Sequence, residues 1–170
     1  PSTVRVMTWL PGVPATELPG PRTPPRGHWV LCRYGRFGRE VAPDLVEQGI
    51  DISIIQPEPG EDCQTDVIAG LGTELEVLRR AGVEHAAGLI AGTDNDTTNL
   101  SIVVAARTLK RDLFIVARQN QRANGALFAA AGIDVVMVPS EVVARECMAR
   151  LVTPHLMRFF DIAHAHDDAW

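Results

Sequence analysis

The sequence predicts an α/β domain built on a doubly wound, parallel six-stranded sheet. Two observations carry this prediction. From residue 28 onward, short runs rich in β-branched residues alternate with longer helical stretches, which is the pattern of consecutive βαβ units. Aromatic residues make up only 5% of the chain, so the core must be built from valine, isoleucine, leucine and alanine, as in sheets that are buried on both faces.

The strands and helices are assigned in order along the chain. The predicted strands are 29–33, 52–56, 66–70, 87–91, 113–118 and 135–138. The predicted helices are 36–48, 74–81, 95–109, 123–131 and about 141–151. Three glycines that end helices are predicted at positions Gly49, Gly82 and Gly132.

Helix starts are predicted by short polar side chains. A Thr73-x-x-Glu76 sequence fits a capping box, and Thr93 and Ser140 are predicted to cap the helices that follow them. Pro43 falls inside the first predicted helix, where it should cost ~3 kcal/mol or bend the axis.

Three segments are predicted along the chain. Residues 1–27 contain seven of the 12 prolines and are predicted to form a linker, with a short strand possible only at 3–7. Residues 28–152 form the predicted domain, and residues 153–170 a C-terminal helix and tail. The apolar stripe from Leu151 to Ile162 predicts a dimer contact.

Length, composition and charge limit the classes of function. A chain of 170 residues with 46% hydrophobic residues is expected to form one globular domain. The formal net charge of −5 argues against binding of nucleic-acid backbones. No apolar run approaches the roughly 20 residues that cross a bilayer, and no signal peptide is recognisable, so any membrane-spanning part is expected to lie outside this sequence.

A glycine-containing loop follows the first predicted strand and precedes the first helix. It reads Arg33-Tyr34-Gly35-Arg36-Phe37-Gly38, which is the pattern G-x-G-x-x-G with arginine at the first glycine. The glycines of this pattern permit a tight turn and let a pyrophosphate approach the N-terminus of a helix. The loop therefore predicts a Rossmann-like sheet with strand order 3-2-1-4-5-6 and a cleft at its switch point. The alternative is a Rossmann turn with solvated arginines and no ligand.

The residue expected to bind ribose hydroxyls stands at the end of the second strand. A dinucleotide site usually has a carboxylate there, but this sequence has Gln56. A neutral amide is a weaker partner for a hydroxyl than a carboxylate is.

Several motifs, taken together, resemble one known family. They are His28 to Glu40 (HWVLCRYGRFGRE), Leu78 to Val83 (LRRAGV), Ala91 to Asp96 (AGTDND) with Asn99, Ile115 to Arg118 (IVAR), and Ala131 to Val136 (AGIDVV) with Pro139. In this order and spacing the sequence resembles the RCK domain, also called the Trk-type nucleotide-binding domain, over about residues 28–152.

The resemblance implies a regulator at the cytoplasmic face of the membrane that pairs with itself, assembles into rings and controls potassium flow through a channel or transporter. It implies NAD(H) or an adenine nucleotide as ligand. By position, the implied ligand contacts are Arg33, Tyr34, Gly35, Arg36, Phe37, Gly38, Gln56, Gly70, Leu71, Gly72, Thr73, Thr93 and Arg118.

The sequence departs from the family pattern at three of these positions. Arg33 replaces a glycine, Gln56 replaces the ribose-binding acid, and Leu71 replaces an aspartate expected after the third strand. Each change removes polarity or space that a nucleotide would use. We therefore predict that NAD(H) binds weakly or not at all, and that Arg33→Gly with Gln56→Asp strengthens its binding.

No other part of the sequence predicts chemistry. No nucleophile, base and orienting group can be identified together, so we predict that the protein is not an enzyme. The tail residues 164–168 (HAHDD) could bind a metal, but a solvated terminus is the preferred interpretation, and no metal site is predicted. Cys32, Cys63 and Cys147 are predicted to be buried thiols in a reducing compartment.

Three functions remain open at this point. The first is a ligand-responsive regulator, the second is a module that acts only in assembly with an empty cleft, and the third is the cofactor-binding half of an oxidoreductase. The three departures favour the second function over the third.

Overall fold

The computed structural model describes residues 23–58 and 66–152. Several predictions fall outside these residues: most of the 1–27 linker with its strand at 3–7, Cys63, the C-terminal segment 153–170 with most of its apolar stripe, and the tail at 164–168. The boundaries of the three predicted segments stay predictions.

The described residues contain six strands and five α-helices, and a helix follows each strand except the second. The strands are β1 (Trp29–Cys32), β2 (Ile52–Gln56), β3 (Asp66–Ala69), β4 (Gly88–Ala91), β5 (Phe114–Arg118) and β6 (Val135–Met137). The helices are α1 (Arg36–Glu47), α2 (Leu75–Arg80), α3 (Asp96–Leu109), α4 (Gly125–Ala130) and α5 (Pro139–Val152). A short 3-10 turn at Arg122–Asn124 precedes α4.

The strands form one parallel sheet in the order β3-β2-β1-β4-β5-β6. This confirms the predicted Rossmann-like fold and strand order. The register places Leu31 of β1 beside Ile54 of β2 and Ile90 of β4. The two central strands β1 and β4 are buried along their whole length, whereas the edge strands β3 and β6 are partly exposed.

Apolar cores lie on both faces of the sheet because successive strand residues point to opposite sides. On one face, Val30 and Cys32 of β1 pack with side chains of α2, α3 and α4, including Leu78, Ile102 and Phe128. On the other face, the neighbouring β1 residues Trp29 and Leu31 pack with the apolar side of α1 and with Phe114 of β5. The sheet is thus covered on both sides, as its low aromatic content predicted.

The predicted helix ends are confirmed at all three glycines. Gly49, Gly82 and Gly132 have φ values of +71°, +75° and +62°, and each directly follows the C-cap residue of its helix, α1, α2 or α4. Glycine adopts this left-handed conformation without the steric cost of a Cβ atom. Pro43 lies inside α1, as predicted, on the exposed side of the helix.

The three predicted capping residues are wrong, although the three helices begin within two residues of their predicted starts. Helix α2 has Glu74 as its N-cap and no side-chain cap, so Thr73 and Glu76 form no capping box. The N-cap of α3 is Asn95, whose side chain accepts a hydrogen bond from the Thr98 N–H, because Thr93 is engaged elsewhere. Helix α5 begins at Pro139, where the missing N–H of proline is not needed, and Ser140 therefore lies in the first turn.

The prediction for the cysteines is confirmed for Cys32 and wrong for Cys147. Cys32 is buried at the end of β1, whereas Cys147 is exposed on α5. The apolar neighbours of Cys147 in sequence suggested burial, but α5 exposes several of its apolar side chains in the described chain, among them Val143 and Met148.

We expect Cys32 to resist alkylation as long as the chain is folded. Burial raises the pKa of the Cys32 thiol to about 12, so the reactive thiolate is almost absent near neutral pH. Iodoacetamide added to the dilute native protein should modify Cys147 and leave Cys32 unmodified, as read by peptide mass mapping. In urea both should react. Native modification of Cys32 at the rate of Cys147 would contradict the buried position of β1.

Candidate functional site

A cleft opens at the carboxyl edge of the sheet, between β1 and β4. The strand order reverses at this point, since β1 leads through α1 to β2 on one side and β4 leads to β5 on the other. Ligands of doubly wound sheets bind at such switch points. The loop 33–35 follows β1 here, residues 92–95 follow β4, and Gln56 and Arg118 end β2 and β5.

The glycine loop is shaped by one strained residue and one close contact. Arg33 has φ +82°, and it is the one non-glycine residue with positive φ among those described. An added Cβ at Gly38 would lie 2.6 Å from the carbonyl oxygen of Arg33, so α1 can approach β1 closely only with glycine at this position. Phe37 packs in the same way against Gly92, where a Cβ would lie 2.9 Å from the ring.

The N-terminus of α1 has no internal cap. Its N-cap is Gly35, which has no side chain to accept a hydrogen bond from the first turn, and the first turn contains no acid. The first N–H groups of a helix have no partner within the helix, and they attract anions together with the helix dipole. The start of α3 differs, since Asn95 caps it and Asp96 lies in its first turn.

The side chain of Gln56 is hydrogen-bonded to the backbone of the protein itself. Its Oε1 accepts a hydrogen bond from the Tyr34 N–H at 3.0 Å, and its Nε2 donates to the carbonyl oxygen of Glu58 at 2.9 Å. The side chain that sequence analysis assigned to ribose thus holds the β1–α1 loop and the segment after β2 together.

Two cavities occupy the cleft, and Arg33 and Gly35 line both. The smaller cavity, of about 370 Å³, is lined by Arg33, Tyr34, Gly35, Gln56, Pro57 and Glu58. The larger, of about 660 Å³, is lined by Arg33, Gly35, Arg36, Phe37, Glu40, Gly92, Asp94, Arg118, Pro139 and Val143. A volume of this size lies within the range of small-molecule sites.

The charges of the two cavities differ. Three arginines, Arg33, Arg36 and Arg118, line the larger cavity against the carboxylates Glu40 and Asp94. The smaller cavity has one charge of each sign, from Arg33 and Glu58. An anion is therefore favoured in the larger cavity.

Arg118 has an unpaired donor at this site. Its Nε is buried, and it has no hydrogen-bond partner within the part of the chain that the structure describes. A buried donor without a partner costs about 1–3 kcal/mol, and an anion in the larger cavity would supply an acceptor. The backbone of Arg118 is fixed, because its carbonyl oxygen accepts a hydrogen bond from Asn99 Nδ2 at 2.7 Å.

Two polar clusters hold the loops at the floor of the cleft, and sequence analysis had assigned a role only to Thr93 among them, as a helix cap. Asn99 Oδ1 accepts hydrogen bonds from the N–H and the hydroxyl of Thr93, and its Nδ2 donates to the Thr93 carbonyl. The Asp96 carboxylate accepts four hydrogen bonds from the β5–α4 loop, from the backbone or side chains of Asn120, Gln121 and Asn124.

The structure brings some of the predicted contact residues together and not others. Arg33, Gly35, Arg36, Phe37 and Arg118 line the larger cavity, and Tyr34 and Gln56 line the smaller one. Neither cavity is lined by Gly38, Gly70, Leu71, Gly72, Thr73 or Thr93. Sequence analysis missed Gly92 and Asp94 as lining residues, although their position directly after β4 could have indicated them.

A further cavity lies away from this cleft. It has about 850 Å³ and is located beside α1 and the amino ends of β1 and β2, with a mainly apolar lining that includes Trp29, Phe114 and Met137. Across residues 23–58 and 66–152, no group of three metal-ligating side chains is present. No helix in these residues is both long and apolar enough to span a bilayer.

Comparison with known proteins identifies relatives of this domain. The sequence model of the TrkA-N domain matches residues 29–139. Potassium channel protein 1 of Methanocaldococcus jannaschii is 27% identical over 139 residues, which are 78% of this chain and 42% of that protein. The chain spans less than half the length of each of the first four curated relatives that it matches.

Solved structures with the same fold carry nucleotides. The Kef C-terminal domain of Shewanella denitrificans in its AMP-bound form is 26% identical, with a TM-score of 0.69 over 84% of this chain and 93% of that one. GsuK bound to ADP is 30% identical, with a TM-score of 0.66 over 74% of this chain and 34% of that one. The GsuK channel bound to NAD is also 30% identical, with a TM-score of 0.67 over 76% of this chain and 24% of that one.

Proposed function

The chain belongs to the TrkA-N domain family, and from this premise we propose that it is the regulatory domain of a potassium channel or transporter, controlled by an adenine nucleotide in the cleft between β1 and β4. The family assignment confirms the resemblance to RCK domains. The proposal concerns the ligand, the assembly and the membrane partner.

The observation that carries the ligand proposal is the buried Nε of Arg118, which has no partner among the described residues and belongs to a side chain lining the larger cavity. Arg33 and Arg36 add positive charge to the same cavity, and the uncapped N-terminus of α1 adds free N–H groups beside it. A phosphate group would satisfy all three features. Relatives with AMP, ADP and NAD bound support a nucleotide as the ligand.

We propose regulation rather than catalysis as the role of this cleft. Its charged groups are suited to binding an anion, and relatives named as potassium channels or potassium uptake proteins support a role in potassium transport. Ligand binding that differs between two states of the domain would shift the state of a connected membrane part. We place the domain at the cytoplasmic face of that membrane part.

We further propose that the domain associates with a second copy of itself. In the described part of α5, Leu151 and Val152 are 77% and 67% exposed, and the apolar stripe continues in the sequence to Ile162. Exposed apolar stripes of this kind favour a contact between copies. Light scattering should give a dimer mass at high concentration, and Leu151→Asp should shift the mass toward the monomer; a monomer at every concentration would contradict this part of the proposal.

An assembly module with an empty cleft is the second candidate, and one observation favours it. Gln56 is hydrogen-bonded to Tyr34 and Glu58, and Arg33 lies across the loop, so part of the usual dinucleotide groove is filled by the protein itself. Under this alternative, no nucleotide changes the stability of the domain.

A thermal-shift series distinguishes the two candidates. AMP, ADP, ATP and NAD+ are added to the 170-residue chain, with adenosine as the control that lacks phosphate. A ligand present at 100 times its Kd stabilises the folded state by about 2.7 kcal/mol, which should raise Tm by about 5–10 °C for a chain of this size. We expect at least one phosphate-bearing nucleotide, and not adenosine, to do so. No shift with any nucleotide would favour the assembly module.

A further inference from the structure

The conformation of Arg33 is unusual for a residue with a side chain. Its φ of +82° lies in the left-handed region, which glycine adopts freely and other residues rarely adopt. Non-glycine residues in such conformations occur preferentially at functional sites, where the surrounding structure holds them in place. Here the Arg33 N–H donates to the Ile55 carbonyl oxygen at 2.8 Å, so β2 holds the residue at the end of β1.

The side chain of Arg33 lies along the loop. The position that a Cβ of Gly35 would occupy is 3.7 Å from both Cγ and Nε of Arg33. The arginine therefore covers the glycine that, in a G-x-G-x-x-G loop, lets a pyrophosphate approach the backbone. Because Arg33 and Gly35 line both cavities, the arginine lies at the boundary between them.

The smaller cavity is poorly suited to the ribose of a dinucleotide. Gln56 already uses its carbonyl oxygen for the Tyr34 N–H and its amide nitrogen for the Glu58 carbonyl. The Tyr34 N–H is in turn unavailable to a phosphate. A dinucleotide would have to pass Arg33 and to compete with these internal hydrogen bonds.

The larger cavity favours a concentrated negative charge. Its three arginines, one of which is Arg118, outnumber its two carboxylates. The Nε of Arg118 is buried and has no partner among the described residues. A phosphate monoester carries about −1.5 to −2 charge near neutral pH and three terminal oxygens. Each phosphate of a dinucleotide carries one ester linkage, one anhydride linkage and a single negative charge, and it therefore interacts less strongly with the arginines.

We propose that Arg33 determines the ligand class of this cleft: it selects a phosphate monoester, held in the larger cavity with Arg36 and Arg118, and excludes dinucleotides. This inference rests on the proposed function, because it specifies the ligand of the same cleft. The monoester can belong to a mononucleotide, to a sugar phosphate or to free phosphate, since the cavity supplies contacts to the phosphate itself.

Isothermal titration calorimetry on wild-type protein and Arg33→Gly tests the inference. The ligands are AMP, ribose 5-phosphate, inorganic phosphate and NAD+, and their ranking identifies the source of the phosphate. We expect Arg33→Gly to weaken AMP binding about tenfold or more, since a charge-assisted contact is lost, and to strengthen NAD+ binding. The two affinities should change in opposite directions, which a general loss of structure cannot produce.

Two further variants serve as controls. Arg33→Asn removes the charge but tolerates positive φ, and it should weaken AMP binding as Arg33→Gly does. Arg111→Gln removes one exposed arginine in the turn between α3 and β5, away from the cleft, and should change neither affinity. Unchanged AMP and NAD+ affinities in Arg33→Gly, or equal losses of both, would overturn the inference.

The outcome for Arg33 can be separated from the outcome for the proposed function. If wild-type protein binds NAD+ as tightly as AMP and Arg33→Gly does not alter the ratio, the inference fails while nucleotide control stands. If wild-type protein binds no nucleotide but Arg33→Gly gains NAD+ binding, exclusion by Arg33 is supported and nucleotide control fails. No binding by either protein would overturn both.

Discussion

Replacing Gly38 with alanine is expected to lower the free energy of unfolding by about 2–3 kcal/mol. The new Cβ would lie 2.6 Å from the carbonyl oxygen of Arg33 and 3.3 Å from a methyl carbon of Leu31. A backbone oxygen cannot rotate away as a side chain can, so α1 has to move off β1. The greater helix propensity of alanine offsets only about 1 kcal/mol of this cost.

Gly125→Ala provides the matched control for this substitution. Gly125 also lies in a helix, with φ −54° and ψ −38°, and its nearest neighbour would be Gln119 Nε2 at an ordinary 3.7 Å. Urea denaturation should show this variant to be unchanged or more stable by up to about 1 kcal/mol. Equal stability of Gly38→Ala and wild-type protein would show that the close approach of α1 to β1 is not required.

Asp96→Asn is expected to lower the free energy of unfolding by about 2–3 kcal/mol at pH 7. The Asp96 side chain is 7% exposed and accepts hydrogen bonds through both oxygens. In the variant, one oxygen becomes an NH2 group that faces other donors, so at least one N–H of the β5–α4 loop loses its acceptor. Asp44→Asn removes an exposed carboxylate of α1 and should stay within about 0.5 kcal/mol of wild-type protein.

The stabilisation that the Asp96 carboxylate provides should be lost as the pH falls. Burial alone would raise the pKa of this carboxyl group, but the hydrogen bonds donated by Asn120, Asn124 and Gln121 outweigh burial and hold the pKa below its ordinary value of 3.8. A carboxyl group whose pKa is lower in the folded than in the unfolded state stabilises the fold. This stabilisation is fully present at pH values above the pKa of the group in the unfolded chain.

The stability difference between wild-type protein and Asp96→Asn can be measured as a function of pH. The difference in stability between wild-type protein and Asp96→Asn should be constant above about pH 5, decline as the pH falls past 3.8, and vanish below the pKa of the folded state. Urea denaturation at a series of pH values measures this difference. A difference that grew as the pH fell would show that the carboxylate is not stabilised by these hydrogen bonds.

The fold could be predicted from the sequence because its signals are local and repeated. Each strand is a short, mainly apolar run, and glycines at 49, 82 and 132 mark helix ends through a conformation that other residues avoid. The residues that cap the helices were predicted less well. Several short polar residues precede each helix, and only the tertiary structure determines that Asn95 caps α3 while Thr93 is hydrogen-bonded to Asn99.

The candidate site could be predicted only in part. The loop 33–38 was predicted from its position between the first strand and the first helix, whereas Arg118 was predicted only through the resemblance to the RCK domain. The hydrogen bonds of Gln56 to Tyr34 and Glu58, and those of Asp96 to the β5–α4 loop, connect residues distant in sequence or depend on side-chain rotamers. No sequence pattern specifies such contacts, so Gln56 was assigned to ribose and the role of Asp96 was missed.

An NMR titration of the 15N-labelled chain with AMP tests the central claim most directly, because it shows both whether a nucleotide binds and where. We predict chemical-shift changes in the backbone amides of Gly35, Arg36, Gly92 and Arg118, which line the larger cavity, with smaller changes at Gln56. The claim would be contradicted if AMP left these amides unchanged, or if the changes appeared instead at the apolar cavity beside Trp29 and Asp51.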